Sequence, residues 1–424
     1  MKTLALGAAA IAALLVLLTA CGPKPQVAPA KAETAAPSAV ATGIDRVALA
    51  ALGKQAFYDA SLSASGRQSC ASCHSPDHAY GPPDASPTQA GGERMDRPGL
   101  RAVPSLRYVL ARTPRWSKEY QRDPIEREIE IETVPFGGFD RDGRFDTLQA
   151  QATAPLLDAR EMANHDVAEI ATRLRAASYA PRFAALFGAQ ALSDDGRTVA
   201  GLAQALERFE LDDPSFSPYS SKFDRFLQGR AALSPQEARG LQVFTDPQKG
   251  NCASCHPVQK GADGSPPLLT DYSFAALGVP RNRKLAANAD PTFFDEGLCG
   301  PLRQPDAVWK DKFCGMFKTP SLRNVATRRA LMHNGAFTDL ASAVRFYAER
   351  DIHPERWYPR DAKGRVDRFD DLPVGHRGNV DRLTPPMDRK PGDAPALADA
   401  DVRDIVAFLR TLTDEDAIEV ATAR

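Results

Sequence analysis

The stretch CASCH at residues 70–74 is repeated without change at residues 252–256. Cys-x-x-Cys-His is the attachment signature of a c-type haem, in which two thiols add to the vinyl groups of one porphyrin and the histidine supplies an axial nitrogen to the iron. Two identical copies make a chance match a poor explanation, so we predict two covalently bound haem c groups. The attaching residues are then Cys70, Cys73, Cys252 and Cys255, and the iron ligands are His74 and His256.

A structural or redox Cys-x-x-Cys pair is the alternative interpretation of the same motif. A zinc site needs two further ligands close to each pair of cysteines. A redox dithiol is typical of a βαβ context, for which the sequence gives no pattern. Both alternatives stay open at this point, but each requires features that the sequence does not supply.

An apolar leader opens the chain. Lys2 is followed by an apolar run over residues 4–18 and by LTAC at 18–21. This pattern predicts a signal peptide over residues 1–21, since the run is short for a membrane span. The LTAC ending resembles a lipoprotein cleavage box, which predicts a lipid on Cys21 and a periplasmic location with anchoring to the outer membrane. The alternative is an ordinary cleavage site at which Cys21 has no role.

Composition and the remaining cysteines limit the function classes. The net charge of −1 and the pI near 6.7 give no indication of nucleic-acid binding. The chain has seven cysteines, of which Cys299 and Cys314 remain after lipid and haem attachment. In an oxidising compartment these two are predicted to form a disulfide, the alternative being two buried free thiols.

Apolar periodicity predicts a helical fold without a large sheet. Helical spacing is present at residues 166–177, 197–209, 234–244 and 340–350, and again from Val402 to Leu412. We predict an all-α fold of two cytochrome c-like domains, each around one covalent haem, with long loops. The predicted division is a flexible tether over 22–44, an N-terminal domain over 45–220 and a C-terminal domain over 221–424.

Several spaced motifs carry a family resemblance. They are LGKQAFYD at 52–59, SCASCH at 69–74, FKTPSLRNV at 317–325 and MHNG at 332–335. Their order and spacing resemble the bacterial di-haem cytochrome c peroxidase and MauG family from about residue 45 to 415. In that family the N-terminal haem reacts with peroxide, and the C-terminal haem stores or relays an electron.

The resemblance extends to a distal pocket for peroxide. Residues 142–162 match the family's distal segment, which implies that Glu161 is the acid–base group and that Gln151 orients the peroxide. Pro155 then lies beside the iron, and Arg144 pairs with a haem propionate. A histidine that blocks this iron in many of the peroxidases is replaced here by Ala90, which implies an iron open to peroxide without prior reduction.

The resemblance also implies an axial ligand for the second haem. Tyr347 stands where the peroxidases have a methionine and where MauG has a tyrosine. A thioether ligand raises a haem potential, whereas a phenolate favours the ferric state. Tyr347 is therefore the predicted iron ligand, opposite His256. The alternative is a tyrosine that only packs in its helix, with Met332 or another residue as the ligand.

Two departures from the family pattern concern the region between the haems. Arg141 occupies the position of the family's inter-haem tryptophan. This predicts slower electron transfer between the haems, or a detour through an aromatic residue such as Trp116 or Tyr108. Ala102 replaces an asparagine that binds calcium in the family, which argues against a calcium site.

Three function classes follow from these residues. The first is a periplasmic enzyme that uses H2O2, either as a peroxidase supplied by an electron-donor protein or as a MauG-like oxidase of a partner protein. The second is a di-haem electron-transfer cytochrome, which would need both irons six-coordinate and would have no use for Gln151 and Glu161. The third is a haem-based sensor or scaffold on the outer membrane.

Overall fold

The computed structural model describes residues 44–108, 110–120, 134–304 and 311–417. The predicted signal peptide, Cys21 and nearly all of the predicted tether lie outside these residues. Ten α-helices are present in the described part of the chain. They are α1 Arg46–Phe57, α2 Cys70–Cys73, α3 Leu148–Leu157, α4 Val167–Ala176, α5 Ala180–Phe187, α6 Asp195–Asp212, α7 Lys222–Leu227, α8 Pro235–Thr245, α9 Leu340–Glu349 and α10 Asp399–Arg410.

Strands are few and short. The described residues form three two-stranded antiparallel sheets, which pair β1 Ala90–Gly91 with β2 Arg97–Pro98, β3 Ser117–Tyr120 with β4 Val134–Phe136, and β5 Phe274–Ala275 with β6 Phe317–Lys318. Short 3-10 turns lie at Ala60–Leu62, Pro76–His78, Ala189–Ser193, Pro214–Phe216, Cys252–Ser254, Ala286–Ala289, Val325–Thr327, Pro354–Arg356 and Val374–Asn379. The prediction of a mostly helical chain without a large sheet is confirmed.

Local capping explains where the predicted helices begin. The Asp166 carboxylate accepts a hydrogen bond from the backbone N–H of Glu169 and starts α4. Ser234 and Glu237 form a reciprocal capping box at α8. At α10 the N-cap residue is Ala398, and Asp401 accepts its backbone N–H at 2.9 Å. Asp401 rather than Asp399 therefore satisfies the start of the last helix.

The same helix crossing occurs once in each half of the chain. Helix α1 packs on α6, and α8 packs on α10. Phe57 meets Phe209 edge-to-face at the first crossing with ring centroids 5.4 Å apart, and Phe244 meets Phe408 at the second at 5.2 Å. Each crossing builds one hydrophobic core, the first from residues between Leu49 and Phe216 and the second from residues between Phe223 and Leu412. The domain boundary near residue 220 itself stays a prediction.

A glycine permits each close crossing. A Cβ on Gly53 would lie 1.8 Å from the carbonyl O of Ala205, and one on Gly240 would lie 1.9 Å from that of Asp404. Backbone atoms cannot move out of the way as a side chain can. Gly53 and Gly240 therefore set the distance between the paired helices.

We expect Gly240→Ala to destabilise the protein, although alanine is favoured over glycine by about 1 kcal/mol in an unhindered helix. Overpacking typically costs about 1–3 kcal/mol and sometimes more, which outweighs that gain. Urea unfolding of the purified protein measures the difference. Gly375→Ala is the control, because a Cβ there meets nothing within 4 Å. Equal stability of the two variants would contradict the close crossing.

Buried polar contacts join the two halves. Asp414 accepts hydrogen bonds from the Tyr108 hydroxyl at 2.5 Å, from Arg107 at 3.1 Å and from the Asn324 amide at 2.6 Å. Arg323 pairs with Asp224 and lies between the rings of Tyr108 and Tyr219. Paired and hydrogen-bonded charges of this kind are costly to break singly. The contacts hold the N-terminal segment around Tyr108 against the C-terminal core.

Two further findings concern the cysteines and membrane spans. Cys299 and Cys314 form a disulfide, as predicted. The four cysteines of the CASCH motifs are free thiols. Within the described ranges, no helix combines the length and the apolar character that crossing a bilayer requires.

Candidate haem sites

The first CASCH motif forms helix α2 and the residue that ends it. Ser69 caps the helix, and the backbone N–H of His74 donates to the carbonyl O of Cys70 at 2.8 Å. The Nδ1 atom of His74 lies 3.1 Å from the carbonyl O of Tyr80. Because a carbonyl only accepts, Nδ1 carries the hydrogen and Nε2 is left free for a metal. Burial lowers the pKa of His74, which favours the neutral imidazole.

A cavity of about 590 Å³ lies beside this motif. Cys70, Cys73 and His74 line it together with apolar side chains from the first core. The predicted distal residues line the same cavity: Arg144, Gln151, Pro155 and Glu161. The structure therefore brings together all the residues that the sequence assigned to the first site, and their individual roles stay predictions.

Glu161 lies on the turn that follows α3. Its backbone N–H donates to the carbonyl O of Asp158 at 2.9 Å, and its carbonyl accepts from Gly92 at 2.8 Å. Burial raises the pKa of Glu161 to about 7, with smaller contributions from Asp158 and Asp140, while Arg144 opposes the shift. The carboxyl group is thus poised to gain or lose a proton near neutral pH, as a general acid–base group requires.

Asp140 organises the polar side of the cavity. Its carboxylate pairs with Arg144 at 2.5 Å and accepts the Gln151 side-chain N–H at 3.3 Å. Arg144 also contacts Asp142 at 3.1 Å. Arg144 therefore lines the cavity, as the predicted propionate contact requires, but its charge is already shared with two carboxylates. The Gln151 side chain keeps its carbonyl oxygen for a ligand.

No second histidine reaches the first cavity within the described residues. Ala90 lies in β1 and has only a methyl group where many peroxidases have a histidine. His78 is bonded through Nδ1 to the Ser75 hydroxyl at 3.0 Å and is not part of the cavity wall. His74 is accordingly the one histidine that the described residues offer to a metal there.

The second CASCH motif forms a 3-10 turn at Cys252–Ser254 with a similar histidine arrangement. The Nδ1 atom of His256 lies 2.8 Å from the carbonyl O of Leu269, which again leaves Nε2 free. A cavity of about 240 Å³ is lined by Cys252, Cys255 and His256. The wall also contains apolar residues of the second core.

Tyr347 on helix α9 lines the second cavity. Its hydroxyl makes no hydrogen bond within the described residues, and burial near Cys255 and Cys252 raises the pKa of Tyr347. Met332, the alternative ligand, lines the same cavity. Met387 does so as well, but its sulfur accepts a hydrogen bond from Arg350 at 3.3 Å. Tyr347 is thus available in the cavity as the predicted ligand.

One wall separates the two cavities and lines both of them. It is formed by Arg141, Lys318, Thr319, Pro320, Ser321 and Arg328. Burial lowers the pKa of Arg141 to about 9, of Lys318 to about 8 and of Arg328 to about 10. Arg141 occupies the position that carries an aromatic ring in the family that the sequence resembles. This position is therefore part of a cationic partition between the two cavities.

The aromatic residues suggested as a detour lie elsewhere. Trp116 contacts Phe274 and Arg303, and Tyr108 is bonded to Asp414; neither residue lines the first or the second cavity. Tyr272 does line the first cavity. Ala102, which argued against calcium, accepts a hydrogen bond from Arg141 through its carbonyl O at 3.0 Å.

Three lining residues were missed from the sequence. Glu210 is only 6% exposed and lines the first cavity, and its Oε2 atom has no hydrogen-bond partner among the described residues. Burial raises its pKa to about 8. The sequence pattern could have indicated its burial, because Glu210 follows Leu206 by four residues and so lies on the apolar face of α6. Lys318 lies inside a motif that carried the resemblance, whereas Arg328 had no sequence signal.

The residues that line each cavity fit a haem better than they fit a zinc site or a redox dithiol. Each cavity is mainly apolar and presents two free thiols with one histidine whose Nε2 is unbonded. Within the described ranges, no group of three metal-ligating side chains converges on either motif; the one such group is Glu296, Cys314 and His376, away from both. This disfavours zinc at both motifs.

Comparison with known proteins agrees with this arrangement. Residues 47–232 match the family model described as di-haem cytochrome c peroxidase. Methylamine utilization protein MauG of Paracoccus denitrificans is 34% identical over 419 residues, covering 96% of this chain and 95% of the relative. Cytochrome c551 peroxidase of Nitrosomonas europaea is 27% identical over 299 residues, covering 70% and 71%.

A solved structure is similar over almost the whole fold. The diheme peroxidase BthA from Burkholderia thailandensis E264 superposes with a TM-score of 0.79 and 42% identity, covering 92% of each chain. Identity and coverage at this level, together with the two CASCH-lined cavities, place the chain in the family of di-haem cytochrome c peroxidases and MauG, oxidoreductases whose cofactors are haem c.

Proposed function

We propose that the protein is a periplasmic di-haem peroxidase that reduces H2O2 in the first cavity, with electrons relayed through the second from a donor protein. One observation carries the proposal: Glu161, with its pKa near 7, lines the same cavity as Cys70, Cys73 and His74. An electron-transfer cytochrome has no need for a part-buried carboxyl with a raised pKa in its haem cavity.

Cofactor binding follows from the two motifs. Cys70 and Cys73 would hold one haem and Cys252 with Cys255 the other, all through thioether bonds. When bound, the haem in the first cavity would supply an iron for the peroxide and the electrons that cleave the O–O bond. The Nδ1 bonds of the two motif histidines fix the imidazoles so that Nε2 is presented to the metal.

Proton movement is assigned to Glu161. Reduction of one H2O2 to two waters consumes two electrons and two protons. In its ionised form Glu161 takes the proton from one oxygen of H2O2 and then delivers it to the other, leaving oxygen, so that water departs instead of hydroxide. Its fixed position on the turn after α3 keeps the carboxyl at the cavity throughout.

The neighbouring residues position the substrate. Gln151 presents its side-chain carbonyl oxygen to a peroxide O–H, because its N–H donates to Asp140. Pro155 lines the same cavity and has no backbone N–H to offer a ligand. Arg144 holds Asp140 in place and opposes the rise in the pKa of Glu161.

The predicted ligand pair His256 and Tyr347 defines the electron-relaying site. We infer a periplasmic location from the predicted signal peptide at 1–21, with a lipid anchor at Cys21, outside the described residues. We propose a protein as the electron donor, as the similarity to cytochrome c551 peroxidase suggests.

Tyr347 favours a second candidate function, oxidation of side chains in a partner protein as in MauG. An oxygen ligand stabilises the ferric state and makes uptake of an electron from a high-potential donor harder. MauG of Paracoccus denitrificans is also similar over nearly the full length. The two candidates share the first cavity and differ in where the reducing electrons come from.

Multiple-turnover kinetics distinguish these candidates. With a reduced small c-type cytochrome and excess H2O2, a peroxidase oxidises two cytochrome molecules for each peroxide over many turnovers. We expect this stoichiometry, followed by the loss of the reduced cytochrome absorbance. A single turnover that then stops, with oxidised residues found in an added partner protein by mass spectrometry, would support the MauG-like function instead.

A further inference from the structure

The partition between the cavities holds three part-buried cationic side chains that come from separate segments. Arg141 precedes Asp142, Lys318 ends β6, and Arg328 follows the 3-10 turn Val325–Thr327. All three line both cavities. The backbone N–H of Lys318 donates to the carbonyl O of Arg141 at 2.8 Å, which ties two of the segments together.

None of these cations has a carboxylate partner within the described residues. The Arg141 side chain donates to the carbonyl O of Ala102 at 3.0 Å, and that of Lys318 to the carbonyl O of Gly138. The Arg328 side chain makes no hydrogen bond and no ion pair there, and burial is the one influence that lowers its pKa.

The nearby carboxylates are already committed to other arginines. Asp142 pairs with Arg101 at 2.8 Å and Asp295 with Arg101 at 2.6 Å, while Asp140 pairs with Arg144 at 2.5 Å. A guanidinium stays charged in proteins, so neutralisation is not available to Arg141 and Arg328. An uncompensated buried charge is strongly unfavourable. The wall therefore calls for anions that the described residues do not supply.

We propose that Arg141, Lys318 and Arg328 bind the propionates of both haems and thereby couple the two haems electrostatically. The inference rests on the proposed function, because the anions are carboxylates of the haems placed in these cavities. Each haem carries two propionates, and each cation faces both cavities. One positive charge is then shared between propionates of different haems, where charge-assisted hydrogen bonds are strong.

Sharing has a consequence for the reduction potentials. A positive charge near a haem disfavours the ferric form, which is more positive than the ferrous form, and so raises the potential. Removal of a charge that faces both cavities must lower both potentials together. A residue that contacts one haem, or that only supports the fold, would not produce this joint shift.

The test is a potentiometric titration of the purified holoprotein carrying Arg328→Met. We expect the midpoint potentials of both haems to shift to more negative values. Arg328→Lys keeps the charge and is expected to restore both potentials toward the wild-type values. Arg329→Met is the matched control, since Arg329 is the adjacent residue, carries the same charge and is exposed; it should shift neither potential.

Haem content is measured first by pyridine haemochrome absorbance. If Arg328→Met fails to mature with two haems, Lys318→Met is read in its place, with Lys318→Arg as its charge-keeping control. A shift confined to one haem, or equal shifts in Arg328→Met and Arg329→Met, would overturn the inference. A wild-type chain that carries fewer than two haems would instead refute the proposed function.

Discussion

Replacing Glu161 by glutamine is expected to slow cleavage of H2O2 by roughly 10²–10⁴-fold, the range that general acid–base catalysis contributes. Glutamine keeps the size and polarity of the side chain but cannot accept the proton from peroxide. Stopped-flow absorbance of the holoprotein mixed with H2O2 measures the rate. Glu93→Gln is the control, because Glu93 is an exposed glutamate in the same half of the chain, paired with His165.

The pH profile separates the proton-transfer role from a steric one. Burial raises the pKa of Glu161 to about 7, Asp158 and Asp140 add to the shift, and Arg144 opposes it. The accepting form is the carboxylate, so the second-order rate with H2O2 should rise as pH increases through about 7 and then level off. Glu161→Gln should lose this rise. A wild-type rate in Glu161→Gln, or an unchanged profile, would remove Glu161 from the mechanism.

Replacing Tyr347 by methionine is expected to raise the reduction potential of the second haem. Axial ligands set haem potentials over a range of about 0.8 V, and a thioether lies toward the high end for histidine-ligated haems. The change should therefore be a substantial fraction of that range. Potentiometric titration followed at the low-spin haem bands measures it.

Two further variants identify the ligand. Tyr347→Phe keeps the ring and its contact with Phe346 but removes the oxygen, so it should change the spin state as well as the potential. Met332→Leu removes the alternative ligand and should leave the spin state and the potential of the second haem unchanged. If Tyr347→Phe and Tyr347→Met keep the wild-type potential and low-spin spectrum, the tyrosine only packs in helix α9.

Features with a local cause could be predicted from the sequence. Helices such as α4 and α8 have a capping side chain next to a periodic apolar stripe, and both begin within a residue of the predicted start. The two CASCH motifs predicted where each cavity would lie, because the cysteines and the histidine are neighbours in the chain. The pairing of Cys299 with Cys314 followed from counting the remaining cysteines.

Features that depend on distant segments could not be predicted in this way. The cationic partition joins Arg141 to Lys318 and Arg328, which are adjacent only after folding. The sequence showed that Arg141 replaces a tryptophan, and this suggested a slower relay or an aromatic detour. It did not show that two more cations share the wall, or that Trp116 and Tyr108 lie outside both cavities.

Burial of a polar group was also hard to recognise in advance. Glu210 occupies the apolar face of α6, but a single glutamate on such a face is more often solvated at a helix edge. Gly53 and Gly240 carried no signal as single glycines, because their role depends on the partner helix that approaches them. The sequence alone does not show that approach.

The most direct test of an open iron beside Glu161 is the response of the air-oxidised wild-type protein to one equivalent of H2O2, without any reductant. Electron paramagnetic resonance and stopped-flow absorbance follow the two ferric haems separately. We expect a high-spin ferric signal from the His74 haem and a low-spin signal from the His256 haem, with the high-spin signal lost on the time scale of peroxide binding. Two low-spin signals, and no reaction until the protein is first reduced, would contradict an open iron beside Glu161.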